Sequence, residues 1–420
     1  MSFELQLLLL LALIILVAKF AGHFSKHLGL PTVFGVILVG VIIGPAALNM
    51  LAWLPFAASQ DKLHEMLKVF ANLGVLLLMF IAGLETDIKE LRRVGGAATW
   101  AAILGVLTPL AFGVLLARAF GMQWGEAFFI GAVLTATSIS ISAQTLMEMS
   151  KLDSRAGMTI LGAAVIDDIL GIIVLSFVVA LATPGGVESV TLAHTLAVQL
   201  AGILGMPAAV GILQIVCVLL LMVLFFALAL SVGKNLGRLL AWAEKMHATH
   251  IIPATALFLL LLFSLGAEYL GQVAAITGAY LAGVMLARTK YHVEILHAIA
   301  PFTYALFVPI FLVNIGLGVE ANAFTGGNWT FIILVILVAV VTKVIGCFAG
   351  AKISGFSSPD AWRVGVGMIS RGEVGLIIAQ VGREAGLLGA AQYTAMIIMV
   401  LATTMITPVL LRLSWRGETT

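Results

Sequence analysis

The feature that most constrains this chain is the recurrence, from one end to the other, of apolar stretches about 20 residues long. A helix of about 20 apolar residues is needed to cross the hydrocarbon core of a bilayer. Hydropathy and turn residues predict thirteen such spans, joined by short connections. The predicted spans are 4–22, 30–50, 66–84, 96–118, 125–149, 156–183, 208–232, 250–267, 271–287, 302–319, 329–351, 361–384 and 389–411. The sequence therefore predicts an all-α membrane protein with about 13 transmembrane helices.

The composition excludes a soluble protein. Of the 420 residues, 62% are hydrophobic and 10% are charged, and the mean hydropathy is +1.16. Soluble domains carry about 25% charged residues, so a soluble fold of this length could not bury so much apolar surface. The net charge of +2 provides no basic arm for nucleic acid. We therefore expect membrane lipid, and not nucleic acid, as the partner that surrounds the chain.

The basic residues predict the orientation in the membrane. If thirteen spans cross, sixteen of the 22 lysines and arginines lie in loops on the side of the C-terminus, and four lie on the opposite side. Cytoplasmic loops carry an excess of lysine and arginine. We therefore predict a multi-pass protein of the inner (plasma) membrane, with the N-terminus outside and the C-terminus in the cytoplasm. The two remaining basic residues, Lys343 and Arg371, lie inside predicted helices.

Two adjacent carboxylates interrupt the sixth predicted span. Asp167 and Asp168 lie near its middle, in the sequence AAVIDDILGIIVL. A charge at the centre of a membrane helix costs about 2.5–3.5 kcal/mol on insertion scales. Neighbouring helical residues point about 100° apart, so one carboxylate can face a fixed cation while the other faces a water-filled cavity. The alternative is that both only hold helices together.

Lys343, in the eleventh predicted span, is the natural countercharge for this pair. A lysine at that depth is not expected to face lipid, and Gly346 and Gly350 provide a face for close helix approach. A buried lysine beside a carboxylate has a labile proton. Lys343 is therefore a candidate proton carrier, and a static salt bridge is the alternative.

A run of hydroxyl residues interrupts the fifth predicted span. The sequence TATSISIS contains five of them in eight positions, among them Thr135, Thr137, Ser138 and Ser140. Such residues form helices poorly as a group, and their oxygens, with freed backbone carbonyls, suit an alkali cation. The alternative is an intact helix in which the hydroxyls bond to their own backbone.

The twelfth predicted span contains charged residues among glycines. Arg371 and Glu373 lie in the sequence GVGMISRGEVGLIIA, which predicts a helix broken near the membrane midplane. Charged side chains at such a break can satisfy exposed backbone groups and the ends of the half-helices. Direct handling of a proton or cation is the alternative role for these two residues.

The two interrupted spans are seven spans apart in the chain. Spans 2 and 9 and spans 3 and 10 show faint similarity at the same separation. Partners seven spans apart have opposite orientations, as in the inverted repeats of secondary transporters. Six helices, a linker helix and six more helices fit the predicted count.

These motifs make the chain similar to a known family. The segment TATSISIS before Asp167 and Asp168, together with Lys343 and the sequence RGEVGLI, resembles the monovalent cation/proton antiporter superfamily, closest to its Kef-type and Nap-type sodium/proton branch. The resemblance covers nearly all of the chain. It implies thirteen helices in two inverted repeats with two broken, crossing helices, the sodium/proton antiporter fold.

The resemblance also implies an organisation and roles. It implies a dimerisation bundle (about 4–84 and 250–319), a core bundle (about 96–183 and 329–411), a linker helix (about 208–232) and a homodimer. Asp168 would bind the transported Na⁺ or H⁺. Asp167 would pair with Lys343, an arrangement associated with electrogenic exchange. Kef-type potassium efflux members usually carry a large nucleotide-binding regulatory tail, and we expect no soluble regulatory domain in this chain.

The sequence thus predicts a secondary antiporter that exports Na⁺, with Li⁺ or K⁺ as alternatives, in exchange for H⁺. It predicts no enzymatic activity and no cofactor apart from the transported ions. A potassium/proton antiporter and an organic-anion symporter of the same fold are the alternatives among transporters. An intramembrane aspartyl protease is disfavoured because adjacent aspartates diverge on a helix. A channel is disfavoured because the charges look paired instead of forming a ring.

Overall fold

The structure is a computed structural model of the whole chain. The residues that it describes are 1–28, 31–86, 95–152, 154–182, 192–204, 210–246, 248–271, 273–319 and 329–415. Every regular element among these residues is a helix. The all-α prediction is therefore confirmed for the described part of the chain.

Eighteen α-helices follow one another along the described residues, with two short 3₁₀ turns before the third and a π-helical turn within the stretch from α13 to α14. In chain order they are α1 (Phe3–His27), α2 (Thr32–Ile43), α3 (Gln60–Glu85), α4 (Gly96–Ala119), α5 (Trp124–Thr135), α6 (Ile139–Glu148), α7 (Arg155–Ala182), α8 (Leu192–Leu204), α9 (Val210–Gly233), α10 (Leu236–Glu244), α11 (Ile251–Tyr269), α12 (Ala275–Ala287), α13 (His292–Phe302), α14 (Val308–Leu317), α15 (Trp329–Ile353), α16 (Ser358–Gly367), α17 (Glu373–Glu384) and α18 (Ala390–Ser414).

The lengths and compositions of these helices fit a multi-pass membrane protein. Within the described ranges, nine helical stretches are long and apolar enough to cross a membrane, and α2, α5 and α12 are shorter apolar helices. The multi-pass prediction is thus confirmed, while the count of thirteen spans stays a prediction.

Two of the predicted spans are each built from two helices with an interruption between them. The fifth span consists of α5 and α6, separated by the extended residues 136–138. The twelfth span consists of α16 and α17, separated by residues 368–372. Both breaks fall where hydroxyl residues or glycines weaken the helix. The prediction of two broken helices is confirmed.

The helix that carries Lys343 packs closely against α4. A side chain at Gly346 would collide with the backbone of α4 at Leu104, and one at Gly350 would collide with it at Trp100. The two glycines therefore form the face for close helix approach that the sequence predicts. This packing fixes α15 against α4 and sets the depth at which Lys343 lies.

The chain divides into two compact units. The first consists of Met1–Lys68, Ile88–Val174 and Pro309–Thr420, and the second of Val69–Asp87 and Leu175–Val308. Both broken helices, Asp167, Asp168 and Lys343 belong to the first unit. The division into a dimerisation bundle, a core bundle and a linker helix stays a prediction.

Candidate functional site

The two helix breaks are in contact and are joined by hydrogen bonds between Ser138 and Ser370. The amide nitrogen of Ser138 donates a hydrogen bond to the carbonyl oxygen of Ser370, at 2.9 Å. In return the hydroxyl of Ser370 donates to the carbonyl oxygen of Ser138, at 2.8 Å. Backbone groups freed by each break are thus satisfied by the other break, as buried polar groups require.

The close approach of the two breaks depends on small side chains. Ser142 donates a hydrogen bond to the carbonyl oxygen of Gly367, the last residue of α16, and lies 3.1 Å from the hydroxyl of Ser370. A Cβ atom at Gly372 would lie 2.6 Å from the side chain of Ser138. Only glycine therefore fits at position 372 while the breaks keep this distance.

A fully buried ion pair lies beside the first break. Lys343 Nζ is 2.7 Å from Asp167 Oδ1, and neither side chain is exposed to solvent. The same ammonium group donates to the carbonyl oxygen of Thr135, also at 2.7 Å. Because Thr135 is the last residue of α5, Lys343 satisfies a carbonyl at the negative end of that helix as well as the carboxylate.

Arg371 donates hydrogen bonds to the free carbonyls at the second break, as Lys343 does at the first. It is fully buried and donates to the carbonyl oxygens of Met368 at 3.2 Å and Ile369 at 2.9 Å, just beyond the end of α16. It also donates to the carbonyl of Ala339 on α15, at 3.1 Å. Its own carbonyl accepts a hydrogen bond from Thr404 on α18, at 2.6 Å. Each interrupted span thus has a buried cation at the C-terminal end of its first half.

Asp168 has a different environment from its neighbour. Its side chain is partly exposed, whereas that of Asp167 is fully buried. Asp168 is repelled by the carboxylates of Asp167 and Glu373 and attracted by Lys343. Glu373 begins α17, so its carboxylate lies at the positive end of that half-helix. Asp168 is thus a partly exposed carboxylate with other negative charges nearby.

Several buried oxygen atoms in this region have no hydrogen-bond partner among the described residues. They are Thr137 Oγ1, Asp167 Oδ2 and Asp168 Oδ1. A buried polar atom without a partner is uncommon in proteins and calls for an explanation, such as a ligand or ion. Carboxylate and hydroxyl oxygens are hard ligands of the kind that suits a hard cation such as an alkali ion.

The remaining hydroxyl residues of the first break divide into three cases. The hydroxyl of Thr135 donates to Ala132 within its own helix, at 2.8 Å. Ser138 is buried and engages the second break through its backbone. The side chain of Ser140 lies outside the described residues. Their role as ligands stays a prediction.

One contributor to the site was not predicted from the sequence. Thr404 connects α18 to the second break through Arg371, although it lies in a span for which no polar role was expected. The available signal was the presence of Thr403, Thr404 and Thr407 in an otherwise apolar segment. Threonine hydroxyls commonly bond to their own helix backbone, as Thr403 and Thr407 do, so the sequence did not distinguish Thr404 from its neighbours.

Comparison with protein families gives the context of this arrangement. The family profile described as sodium/hydrogen exchanger, transmembrane, matches residues 10–415. The chain belongs to the sodium/hydrogen exchanger family. This is a family of transporters, and the match includes both helix breaks and the buried charges.

Individual antiporters match the chain over almost its whole length. The Na⁺/H⁺-K⁺ antiporter GerN of Bacillus cereus is 37% identical over 416 residues, which cover 99% of this chain and 98% of GerN. The Na⁺/H⁺ antiporter of Enterococcus hirae is 36% identical over 403 residues, which cover 96% of each chain. The high-affinity Na⁺/H⁺ antiporter NhaS3 of Synechocystis is 33% identical over 98% of this chain and 90% of NhaS3.

A solved structure supports the fold. The sodium proton antiporter MjNhaP1 of Methanocaldococcus jannaschii, at pH 8, matches with a TM-score of 0.67 at 17% sequence identity. The match covers 99% of this chain and 97% of that chain. The predicted sodium/proton antiporter fold is therefore confirmed.

Proposed function

We propose that this exchanger-family protein is a secondary active antiporter that exports Na⁺ in exchange for H⁺, with Asp168 as the shared binding site. The observation that carries the proposal is the partly exposed Asp168 carboxylate beside the crossing of two broken helices. The names of GerN and of the Enterococcus hirae relative, which describe Na⁺/H⁺ antiporters, support the choice of ions.

The chemistry of exchange is competition for one carboxylate. Protonated Asp168 is neutral and attracts a cation weakly, whereas ionised Asp168 attracts Na⁺ strongly. Binding of Na⁺ therefore expels the proton, and binding of a proton expels Na⁺. If the loaded site opens alternately to the two sides of the membrane, this exclusion couples the two fluxes in opposite directions.

Asp167 and Lys343 provide a second titratable unit beside the first. If Lys343 releases its proton when Na⁺ binds and takes it up again later, two protons move for each Na⁺ and transport is electrogenic. Interacting groups of this kind titrate together, so the two protons belong to the cluster and not to single residues. A static Asp167–Lys343 bridge would leave the exchange dependent on the carboxylates alone.

Arg371 and Glu373 support the site without being needed as ion carriers. Arg371 donates hydrogen bonds to three backbone carbonyls, two of them within the second break. Its positive charge therefore stabilises the break. Glu373 adds negative charge near Asp168, which favours cation entry. Thr137 is the best-supported hydroxyl ligand because its oxygen is buried without a partner among the described residues.

The proposed orientation in the membrane rests on the distribution of basic residues. The excess of basic residues on the side of the C-terminus supports an inner-membrane protein with that terminus in the cytoplasm and the N-terminus outside. We further propose a homodimer in which a core bundle moves against a dimerisation bundle. No cofactor is needed, because the energy comes from the ion gradients.

The proposed ion preference is tested with the purified protein in proteoliposomes that carry an internal pH indicator. We expect addition of Na⁺ to drive proton movement, with a smaller or equal response to Li⁺ and a weaker one to K⁺. A response to K⁺ alone would replace Na⁺ by K⁺ as the substrate. Proton movement that requires an organic anion, with no response to any alkali cation, would contradict antiport.

Thr137→Val is expected to weaken the apparent affinity for Na⁺ by at least about tenfold without lowering the melting temperature. A hydroxyl bond to a charged partner contributes about 1.5–3 kcal/mol, whereas removal of a buried hydroxyl without a protein partner does not destabilise the fold. The measurement is the Na⁺ concentration for half-maximal exchange in proteoliposomes.

Thr135→Val is the matched control for this variant, because the Thr135 hydroxyl is already engaged with Ala132 in its own helix. We expect its apparent Na⁺ affinity to stay within about twofold of the wild-type value, since that oxygen is not offered to the ion. Equal affinities in the two variants would remove Thr137 from the site.

A further inference from the structure

A basic pocket lies in the second compact unit and is lined by residues other than the buried charges described above. It has a volume of about 460 Å³ and is lined by residues from the end of α9, from α10 and from the connection between α12 and α13. The lining residues are Gly233, Lys234, Gly237, Met285, Arg288, Thr289, Lys290 and Tyr291. Three of these eight residues are cationic and none is acidic, so the pocket favours an anion.

Two of the three cations are available to a ligand. Lys234 and Arg288 are exposed, and neither has an acidic partner among the residues that the structure describes. The Lys290 ammonium is 3.5 Å from the Glu244 carboxylate, so its positive charge is partly compensated by that carboxylate. The pocket therefore presents about two uncompensated positive charges, which can form charge-assisted hydrogen bonds to the oxygens of a phosphate group.

The wall of the pocket is held by a fixed polar contact. The hydroxyl of Tyr291 donates a hydrogen bond to Glu244, and the Lys290 ammonium lies 4.6 Å from the centre of the Tyr291 ring. The hydrogen bond from Tyr291 and the charge of Lys290 hold the pKa of Glu244 below its ordinary value. Glu244 therefore stays ionised near neutral pH and keeps α10 attached to the segment that carries Arg288.

The apolar surroundings place this pocket at a membrane surface. The short helix α10 buries Leu236, Leu240 and Ala243 on one side, while Leu239 and Trp242 on the other side are exposed. An amphipathic helix with an exposed tryptophan is typical of the interface between lipid headgroups and acyl chains. A ligand in the pocket would therefore have its charged part at the headgroup level.

We propose that the pocket formed by Lys234, Arg288 and Lys290 binds the phosphate group of an anionic phospholipid. A zwitterionic lipid carries the same phosphate with a compensating cation, so the pocket should prefer phosphatidylglycerol to phosphatidylcholine. Basic pockets between transmembrane helices bind anionic headgroups in the same way. The proposal is independent of the transport mechanism, because the pocket shares no residue with the proposed ion site.

The test is native mass spectrometry of the full-length protein, delipidated in detergent and titrated with phosphatidylglycerol or phosphatidylcholine of identical chains. Each basic side chain at an anionic surface contributes about a fivefold change in binding. We therefore expect the double variant Lys234→Gln/Arg288→Gln to bind phosphatidylglycerol about 25-fold more weakly than the wild type, with phosphatidylcholine binding unchanged.

The matched control is Arg238→Gln/Lys245→Gln, which removes the same charge from the same region without touching the pocket lining. Its phosphatidylglycerol binding should stay at the wild-type level. Equal losses in the two double variants, or no preference for phosphatidylglycerol in the wild type, would overturn the proposal. Competition by inorganic phosphate at millimolar concentration, without a preference between the two lipids, would overturn the lipid assignment in favour of a soluble anion.

Discussion

Asp168→Asn is expected to abolish Na⁺-driven proton movement while leaving the protein folded. Asparagine has nearly the same shape but can neither take up a proton nor attract a cation with a full charge. A carboxylate and a monovalent cation 4 Å apart attract each other by about 4 kcal/mol at an effective dielectric constant of 20. Loss of that attraction corresponds to about a thousandfold loss of affinity. The measurement is proton movement in proteoliposomes over a range of Na⁺ concentrations.

The fold of this variant should be at least as stable as the wild type. Asp168 is partly exposed and is repelled by Asp167 and Glu373, so neutralising it removes repulsion and breaks no ion pair. The melting temperature in detergent therefore distinguishes loss of function from loss of structure.

A control for the Asp168 variant is Asp61→Asn, which makes the same chemical change at an exposed position in the first turn of α3. It should transport at the wild-type rate. Na⁺-driven proton movement close to the wild-type rate in folded Asp168→Asn would show that another group binds the ions.

Lys343→Ala is expected to have two separable effects, one on stability and one on charge movement. The substitution leaves Asp167 as a buried carboxylate without its partner and removes the donor to the Thr135 carbonyl. Breaking a buried ion pair by removing one partner costs about 3–5 kcal/mol. We therefore expect a clear decrease in the melting temperature.

The effect on charge movement depends on the role of Lys343. If Lys343 carries one of two protons, its loss should convert electrogenic exchange into electroneutral exchange. Currents on a solid-supported membrane would then disappear while a pH indicator still reports Na⁺-driven proton movement. A sustained current in a functional variant would leave Lys343 with a structural role only.

The double variant Asp167→Asn/Lys343→Met controls for the stability effect. It removes both charges together, so no charge is left buried and unpaired. Replacing a whole buried ion pair by groups of similar volume is often neutral for stability. Recovery of the melting temperature without recovery of the current would assign the current to the proton of the Asp167–Lys343 pair. Recovery of both would contradict that assignment.

The backbone organisation of the site was predictable because it follows from local chemistry. Hydroxyl residues at Thr135–Ser142 and glycines around Arg371 weaken helices wherever they occur in a chain, and the structure has interruptions at both places. The glycine face of Gly346 and Gly350 was also predictable, because four-residue spacing places both on one side of a helix.

The sequence by itself determined that this chain is a multi-pass helical membrane protein with two broken helices and a cluster of buried charges. Apolar run length, helix-breaking residues and the cost of charge in lipid are local properties, so no tertiary information is needed for them. Only the tertiary structure decided which charges meet. Helical periodicity separates Asp167 from Asp168 by about 100°, but the rotation of α7 against α15 selects Asp167 for Lys343. It also directs Arg371 to backbone carbonyls and brings Thr404 to the second break. These contacts depend on how separate helices pack against one another. That packing is determined jointly by residues that are far apart in the chain.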